Sequence, residues 1–290
     1  MAIDVLIKQK LFSNKTMPLE VILGNKLHYG DYVNYQLEIG VMGETEFVAY
    51  NPKSIGRGFS VIWNPKENKS ISLRLPMPST VQEIKDFYEA VERMVNYWNG
   101  KLIVDDHQMT LANFIQGFDD MVNFNRKVIK EISQRVLDTG HSQMLPSAMW
   151  ELTIGEREAK LFLENSNDYS KWLHEKQSLG VNYKVPRFFM GPNGIFGVYL
   201  LFNDEPSLFP YRPMVPFGIT DNRTGKALEC KEWQLWPVIK GDKSSLCKME
   251  YDQFMNLLPE SKKKKYDDNR FLLDDFTVED LKELVLKYKK

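Results

Sequence analysis

The sequence predicts an α+β fold of two similar-sized lobes, each a mostly antiparallel sheet packed by amphipathic helices, and three observations carry that reading. In Phe59-Ser60-Val61-Ile62-Trp63 and Ser70-Ile71-Ser72-Leu73-Arg74-Leu75, large apolar residues recur at every second position, which sends their side chains to one face of a sheet. From Val81 to Trp98 the apolar residues recur at helical spacing instead, with charged residues between them. Gly140 to Ser147 combines two breakers with polar residues and divides the 290-residue chain nearly in half. The expected domains are therefore residues 1–140 and 148–290.

In chain order, residues 2–8 alternate and read as a strand. Thr16, Pro18 and Gly24 bracket a short helix over 19–23, with a cap, an early proline and a terminating glycine. Val33, Tyr35, Leu37 and Ile39 alternate with Asn34, Gln36 and Glu38, and the strand Glu46 to Tyr50 follows a turn at Gly43. The next two strands turn back on each other through Asn64 to Lys69 as an antiparallel hairpin. Pro76 and Pro78 remove two backbone donors, so the second of them stops near Leu75. Ser79 or Thr80, followed three residues on by Gln82 or Glu83, then supplies a capping box. The stripe that follows includes Ile84, Phe87, Val91, Met94 and Trp98, and Gly100 suits a left-handed C-cap. Laid on the hairpin, each of these large side chains contributes about 1.5–3 kcal/mol before entropy is counted.

Beyond Gly100, Lys101 to Val104 is one more short strand, Thr110 caps a short turn, and a helix runs from Phe118 to about Leu137, ended by Gly140. Helices are expected over 155–164 and 168–177, strands over 183–189, 194–202 and 227–239, and a further helix over 249–258. At the C-terminal end Thr277 caps a last helix with Asp280 at its third position and Phe276 facing Leu281.

Composition narrows the class. Hydrophobic content of 43% with 12% aromatics suffices for a packed interior. A net charge of −1 from 38 basic and 39 acidic residues gives no global field for a polyanion, so no nucleic-acid partner is expected. No apolar run approaches the ~20 residues of a bilayer span, and the first residues lack a basic-then-apolar leader, so no membrane partner is expected and the expected location is cytoplasmic. Cys230 and Cys247 are too few for a disulfide framework and read as small buried hydrophobes.

Motifs that would carry chemistry are sparse. Asp105-Asp106-His107 follows a short strand, where a carboxylate and an imidazole can act as base or ligand, although a polar cap ahead of the Thr110 turn accounts for the same residues. Gly191-Pro192-Asn193-Gly194 lacks the lysine of a phosphate loop and the spacing of a dinucleotide fingerprint, and reads as a tight turn. No metal or cofactor is implied. Lys262 to Lys265 is flanked by Glu260 and by Asp267-Asp268, which reads as a solvated turn between helices. The most unusual composition is Pro206 to Phe217, where Pro210, Pro213 and Pro216 recur at the period of a polyproline II helix. Phe209, Tyr211, Arg212 and Phe217 hang from it and are the candidate ligand- or partner-binding residues, against the alternative of a buried crossover packed by its own aromatics.

At the Gly58-Phe59 strand, the Leu75-Pro76-Met77-Pro78-Ser79-Thr80 junction and the helix beyond it, the chain resembles an uncharacterised bacterial family of about 290-residue cytosolic proteins of unknown function. The resemblance implies no activity, cofactor or catalytic residue. Two readings of function stay open: a protein without catalytic activity that binds a protein or small-molecule partner, and a hydrolase-like enzyme with Asp105 and His107 in a cleft between the lobes.

Overall fold

The alternation in the first half of the chain resolves into a single eight-stranded sheet. The computed structural model describes every residue except 34, 35, 65–68, 217, 218, 222, 223, 243, 275 and 290. The elements of the first unit, Met1–Leu179, are β1 (Ala2–Lys8), α1 (Leu19–Leu23), β2 (His28–Val33), β3 (Gln36–Ile39), β4 (Glu46–Tyr50), β5 (Phe59–Ile62), β6 (Ser70–Pro76), α2 (Val81–Trp98), β7 (Lys101–Val104), β8 (His107–Met109), α3 (Leu111–Gln116), α4 (Phe118–Thr139), β9 (Gln143–Leu145), β10 (Leu152–Ile154), α5 (Glu156–Glu164) and α6 (Asp168–Gln177). The sheet runs β3-β2-β4-β5-β6-β1-β7-β8 with every neighbour antiparallel, and β9 and β10 form a separate antiparallel pair.

One face of this sheet is buried by α2. Ile3, Val5 and Ile7 of β1, Leu73 and Leu75 of β6 and Phe59 and Val61 of β5 share a core with Ile84, Phe87, Val91 and Met94 of α2. Phe59 and Phe87 meet edge to face, 5.3 Å between ring centres, which adds about 0.5–1.5 kcal/mol to the area they bury. On the other face, Tyr50 of β4 packs with Ile55 and Ala148, so the chain after α4 covers part of the β3-β2-β4 end. The β5-β6-β1-β7 part of that face carries Ser60, Ile62, Ser72, Arg74, Asp4, Leu6 and Ile103 around a concavity.

Three local expectations change. Residues 33–39 are not one strand but the two sides of a hairpin, with Val33 opposite Gln36, and Asn34 and Tyr35 lie outside the described residues. The left-handed residue after α2 is Asn99 (φ 46°) rather than Gly100. Gly100 is required for a different reason, since a Cβ there would stand 2.7 Å from the Lys8 carbonyl oxygen. The N-cap position of α1 is Pro18 rather than Thr16, and Pro18 makes no side-chain cap.

Gly140 to Ser147 falls inside the first unit, carries β9, and is followed there by α5 and α6. Hydrogen bonds account for that placement. Tyr169 of α6 donates to the Pro78 carbonyl at 3.1 Å, and Arg57 donates from Nη1 to the same carbonyl at 3.2 Å and from Nε to Pro146 O at 2.7 Å. His174 Nδ1 accepts the Ile55 amide at 2.9 Å, and the Gln177 carboxamide accepts from Met149 N and donates to Trp150 O. The helices after the expected break are thus fastened to the loops beside β5 and β6. The two compact units are Met1–Leu179 and Gly180–Lys290.

The second unit, Gly180–Lys290, contains β11 (Asn182–Tyr183), β12 (Arg187–Gly191), β13 (Gly194–Phe202), β14 (Ser207–Pro210), β15 (Glu232–Val238), β16 (Met249–Glu250), α7 (Tyr251–Leu257), β17 (Lys263–Lys265), β18 (Arg270–Leu273) and α8 (Val278–Tyr288). They form two four-stranded sheets, β11-β14-β18-β17 and β12-β13-β15-β16, each mostly antiparallel with one parallel pair. Tyr199, Leu201 and Leu235 of one sheet and Phe209 and Phe271 of the other share a core with Phe254 of α7 and Leu281 and Leu284 of α8. Thr277 and Asp280 make the expected capping box of α8. Part of the lysine run, Lys263–Lys265, is the edge strand β17 paired with β18, with Lys262 in the turn before it, and each lysine has an acidic partner: Lys262 with Asp280, Lys263 with Glu260, Lys264 with Asp274 and Lys265 with Asp268. Arg270, 2% exposed, is held by Asp267 at 3.4 Å and by the Tyr183 hydroxyl at 3.1 Å, so the buried charge is both paired and hydrogen-bonded.

Candidate functional site

The proline-spaced segment is built into the second unit at both ends. Its first part is β14, where Pro210 lies opposite Arg270 of β18, so the polyproline spacing there coincides with a paired strand. Tyr251 donates its phenol hydrogen to the Pro210 carbonyl at 2.7 Å, and the Tyr199 hydroxyl donates to Met214 O at 3.2 Å while Met214 N lies 3.4 Å from the same oxygen. The Tyr211 amide donates to Asn269 O at 2.9 Å. Two buried tyrosines therefore fix the backbone on either side of Tyr211 and Arg212.

The four candidate residues then separate. Phe209 is fully buried, stacked on Phe271 with 6.1 Å between ring centres, and is part of the scaffold rather than of a binding surface. Tyr211 is half-buried with its ring 5.3 Å from that of Phe271, and burial, with Asp267 and other acids adding, raises its phenol pKa. Arg212 is exposed and makes no ion pair among the described residues. Phe217 lies outside the described residues.

Arg212 and Pro213 line a cleft of about 600 Å3 together with Lys231, Glu232, Trp233, Gln234, Glu250, Tyr251 and Asp252. Its size is that of a ligand pocket. β15 supplies one wall, and the half-buried Trp233 on it is held from behind by Tyr199 and Phe188, with ring centres 6.0 and 6.3 Å away. Gly197 of β13 sits opposite Trp233 in the parallel register, and the indole occupies the place a side chain would take there, 2.2 Å from where a Cβ would stand. Two cations, Arg212 and Lys231, face three carboxylates, Glu232, Glu250 and Asp252, of which Glu232 accepts from Asn193 Nδ2 at 3.0 Å. The expectation of a strand over 227–239 singled out neither Trp233 nor Lys231, and Glu250 and Asp252 were passed over as well. The one signal was Gly197, a residue without a side chain in an otherwise bulky strand.

The Tyr251 phenol is pushed well above its ordinary pKa by burial and is committed as a donor to Pro210 O, so it is not a base. Both thiols are half-buried and free, and burial pushes them up, Cys230 to about 11, which keeps them protonated and poorly nucleophilic.

The alternative pair, Asp105 and His107, does not assemble. Asp105 (φ 46°) and Asp106 (φ 66°) are the two central residues of the β7–β8 hairpin, with Val104 opposite His107, and positive φ at both is what a type I′ turn requires. The turn, rather than a cap for α3, accounts for the two aspartates. Asp105 Oδ1 accepts the Asp4 amide at 3.0 Å and, with Asp106, borders the concavity of about 460 Å3 on the open face of the sheet. His107 does not line it, being paired with Val104, whose side chain belongs to the opposite, core-facing side. Within the concavity Arg74 Nη1 donates to both Asp4 carboxylate oxygens, at 3.0 and 2.9 Å.

Among the described residues no helix is long and apolar enough to cross a membrane. No curated protein and no solved structure matches the chain. A family model described as a domain of unknown function, DUF4299, matches residues 2–284, nearly the whole chain, and the protein belongs to that family.

Proposed function

We propose that the protein acts by binding rather than by catalysis, and that the cleft at Arg212 and Trp233 receives a segment of a protein partner. The observation that carries this reading is an exposed guanidinium without an ion pair among the described residues, on a backbone fixed by Tyr199 and Tyr251, lining the same cleft as the Trp233 indole. Arginine and tryptophan are the residue types that dominate interface energetics, and a pre-ordered backbone loses little entropy on association. The mixed charges around them, Lys231 against Glu250 and Asp252, suit a segment carrying both an acidic group for Arg212 and a basic group nearby.

The test is affinity capture with the wild-type protein and with Arg212→Glu, followed by identification of what is retained and measurement of Kd with the purified partner. The expected result is a species whose affinity falls at least about tenfold in Arg212→Glu, with Tm unchanged because Arg212 is exposed. Binding of every retained species at wild-type strength by the variant would remove the cleft from the reading.

A further inference from the structure

We infer that the turn from Lys10 to Ser13 is a peripheral docking site for an anionic lipid surface. Leu11 is 92% exposed and Phe12 is 97% exposed, adjacent in sequence at the tip of the connection after β1. Scattered exposed apolar residues are ordinary, but two adjacent bulky side chains left almost wholly in water form a patch that something covers.

The exposure is built. The Ser13 amide donates to Lys10 O at 3.0 Å, closing a β-turn with Leu11 and Phe12 at its two corners. Below it, the Gln9 amide donates to Lys69 O at 3.0 Å, and the Lys15 carbonyl accepts from both Gln9 Nε2 and Trp98 Nε1. Lys15 Nζ donates to Tyr97 O at 3.1 Å and lies 3.5 Å from the centre of the Tyr97 ring, and Met17 is fully buried. The base of the loop is thus held in place, and the two apolar side chains project from it.

Among the described residues of the segments that flank the projection, charge is of one sign. Lys8 of β1 and Lys101 of β7 are cross-strand neighbours, Lys10 opens the turn, and Lys69 is hydrogen-bonded to Gln9 through its backbone. None of these four lysines has an ion pair among the described residues, and residues 8–16, 69–72 and 99–104 contain no Asp or Glu, while Lys66 and Glu67 lie outside the described residues. A near-neutral chain therefore carries a local positive collar behind an apolar tip.

That combination selects the occupant. A convex tip has no groove to receive a peptide, whereas a bilayer interface accepts protruding apolar side chains and places anionic headgroups at the level of the lysines behind them. Nucleic acid would use the lysines and leave Leu11 and Phe12 in water. A second copy docked tip to tip would bring two lysine collars together, which like-charge repulsion opposes. Neither a spanning helix nor a leader is needed for such contact, so the expectation of no membrane partner, drawn from those two absences, does not reach it. Neither signal alone anchors stably, and the two together give reversible, salt-sensitive binding.

The test is co-sedimentation of the full chain with phosphatidylcholine vesicles, with and without phosphatidylserine, at low and raised salt. Binding is expected only with phosphatidylserine, weakened by salt. It should fall at least about tenfold in Leu11→Ser/Phe12→Ser and again in Lys8→Gln/Lys10→Gln/Lys101→Gln, with Tm unchanged in both because these side chains are exposed. No sedimentation with phosphatidylserine vesicles would overturn the inference, as would equal binding by Leu11→Ser/Phe12→Ser. A wild-type dimer in light scattering that becomes monomeric in that same variant would assign the turn to a second copy and overturn it as well.

Discussion

Thr80 and Glu83 cap each other at the start of α2: Glu83 N donates to Thr80 Oγ1 at 3.0 Å, and Thr80 N donates to Glu83 Oε2 at 3.0 Å. The second carboxylate oxygen, Oε1, accepts the amide of Gly58 where β5 begins, so one buried side chain closes the helix and ties it to the hairpin it covers. The same carboxylate explains Gly56, where a Cβ would stand 2.2 Å from Glu83 Oε2. Burial raises the Glu83 pKa, opposed by the amides it accepts and by Arg57.

Replacing Glu83 with Ala removes a cap and leaves the buried amides of Thr80 and Gly58 without acceptors. The expected cost is about 2–4 kcal/mol, read as a lower urea midpoint at unchanged m-value. A loss below about 0.5 kcal/mol would show that the junction is held by packing alone.

Tyr88 tests the same core through its alkaline pH dependence. Its ring stacks on Phe114 at 4.2 Å and meets Phe118 edge-on at 5.4 Å, and burial, with Asp120 adding, pushes the phenol from 10.0 up to about 12. The unfolded chain therefore ionises first, so stability falls as pH rises from 10.0 towards about 12 and is undiminished by this group below that window. Tyr88→Phe keeps the ring contacts and deletes the titration. Near neutral pH the two proteins should agree within about 1 kcal/mol, and close to the upper end of the window the variant should be relatively more stable by on the order of 2 kcal/mol in guanidinium melts. Parallel stability curves across the window would mean that the phenol is not shielded from water.

What could be read from the residues, and what could not, divides along the range of the interaction. The capping box, the stripe from Ile84 to Trp98 and the Phe59–Leu75 hairpin are written in neighbouring residues, and the structure repeats them almost residue for residue. β2 and β3 were misread because apolar alternation runs on through residues 34 and 35, hiding the reversal between Val33 and Gln36. β17 was misread because four consecutive lysines look solvated until Asp280, Glu260, Asp274 and Asp268 are brought beside them by the fold. The cleft was half legible. Arg212 stood out beside its prolines, whereas Trp233 joins it only through the parallel pairing of β13 and β15, which no local pattern announces.

That pairing offers a test of the cleft from behind. Gly197 lies under the Trp233 indole, and a Cβ at Gly197 would stand 2.2 Å from Cζ3 and 2.4 Å from Cε3 of the ring. Gly197→Ala forces the indole to shift, with Tyr199 and Phe188 already packed against the ring, and so changes the wall that Trp233 gives the cleft beside Arg212. The expected cost is about 1–3 kcal/mol of stability from overpacking, accompanied by a change in tryptophan emission. Partner binding should weaken together with it, although residue 197 is not among those that line the cleft. Gly140→Ala is the matching control, since its left-handed backbone (φ 65°) makes the substitution costly while a Cβ there meets nothing within 4 Å, in a unit that does not hold the cleft. If Gly140→Ala lowers stability and leaves Kd unchanged while Gly197→Ala raises Kd, the effect belongs to the displaced indole. Equal Kd values for Gly197→Ala and wild type would show that Trp233 is not a wall of the binding site.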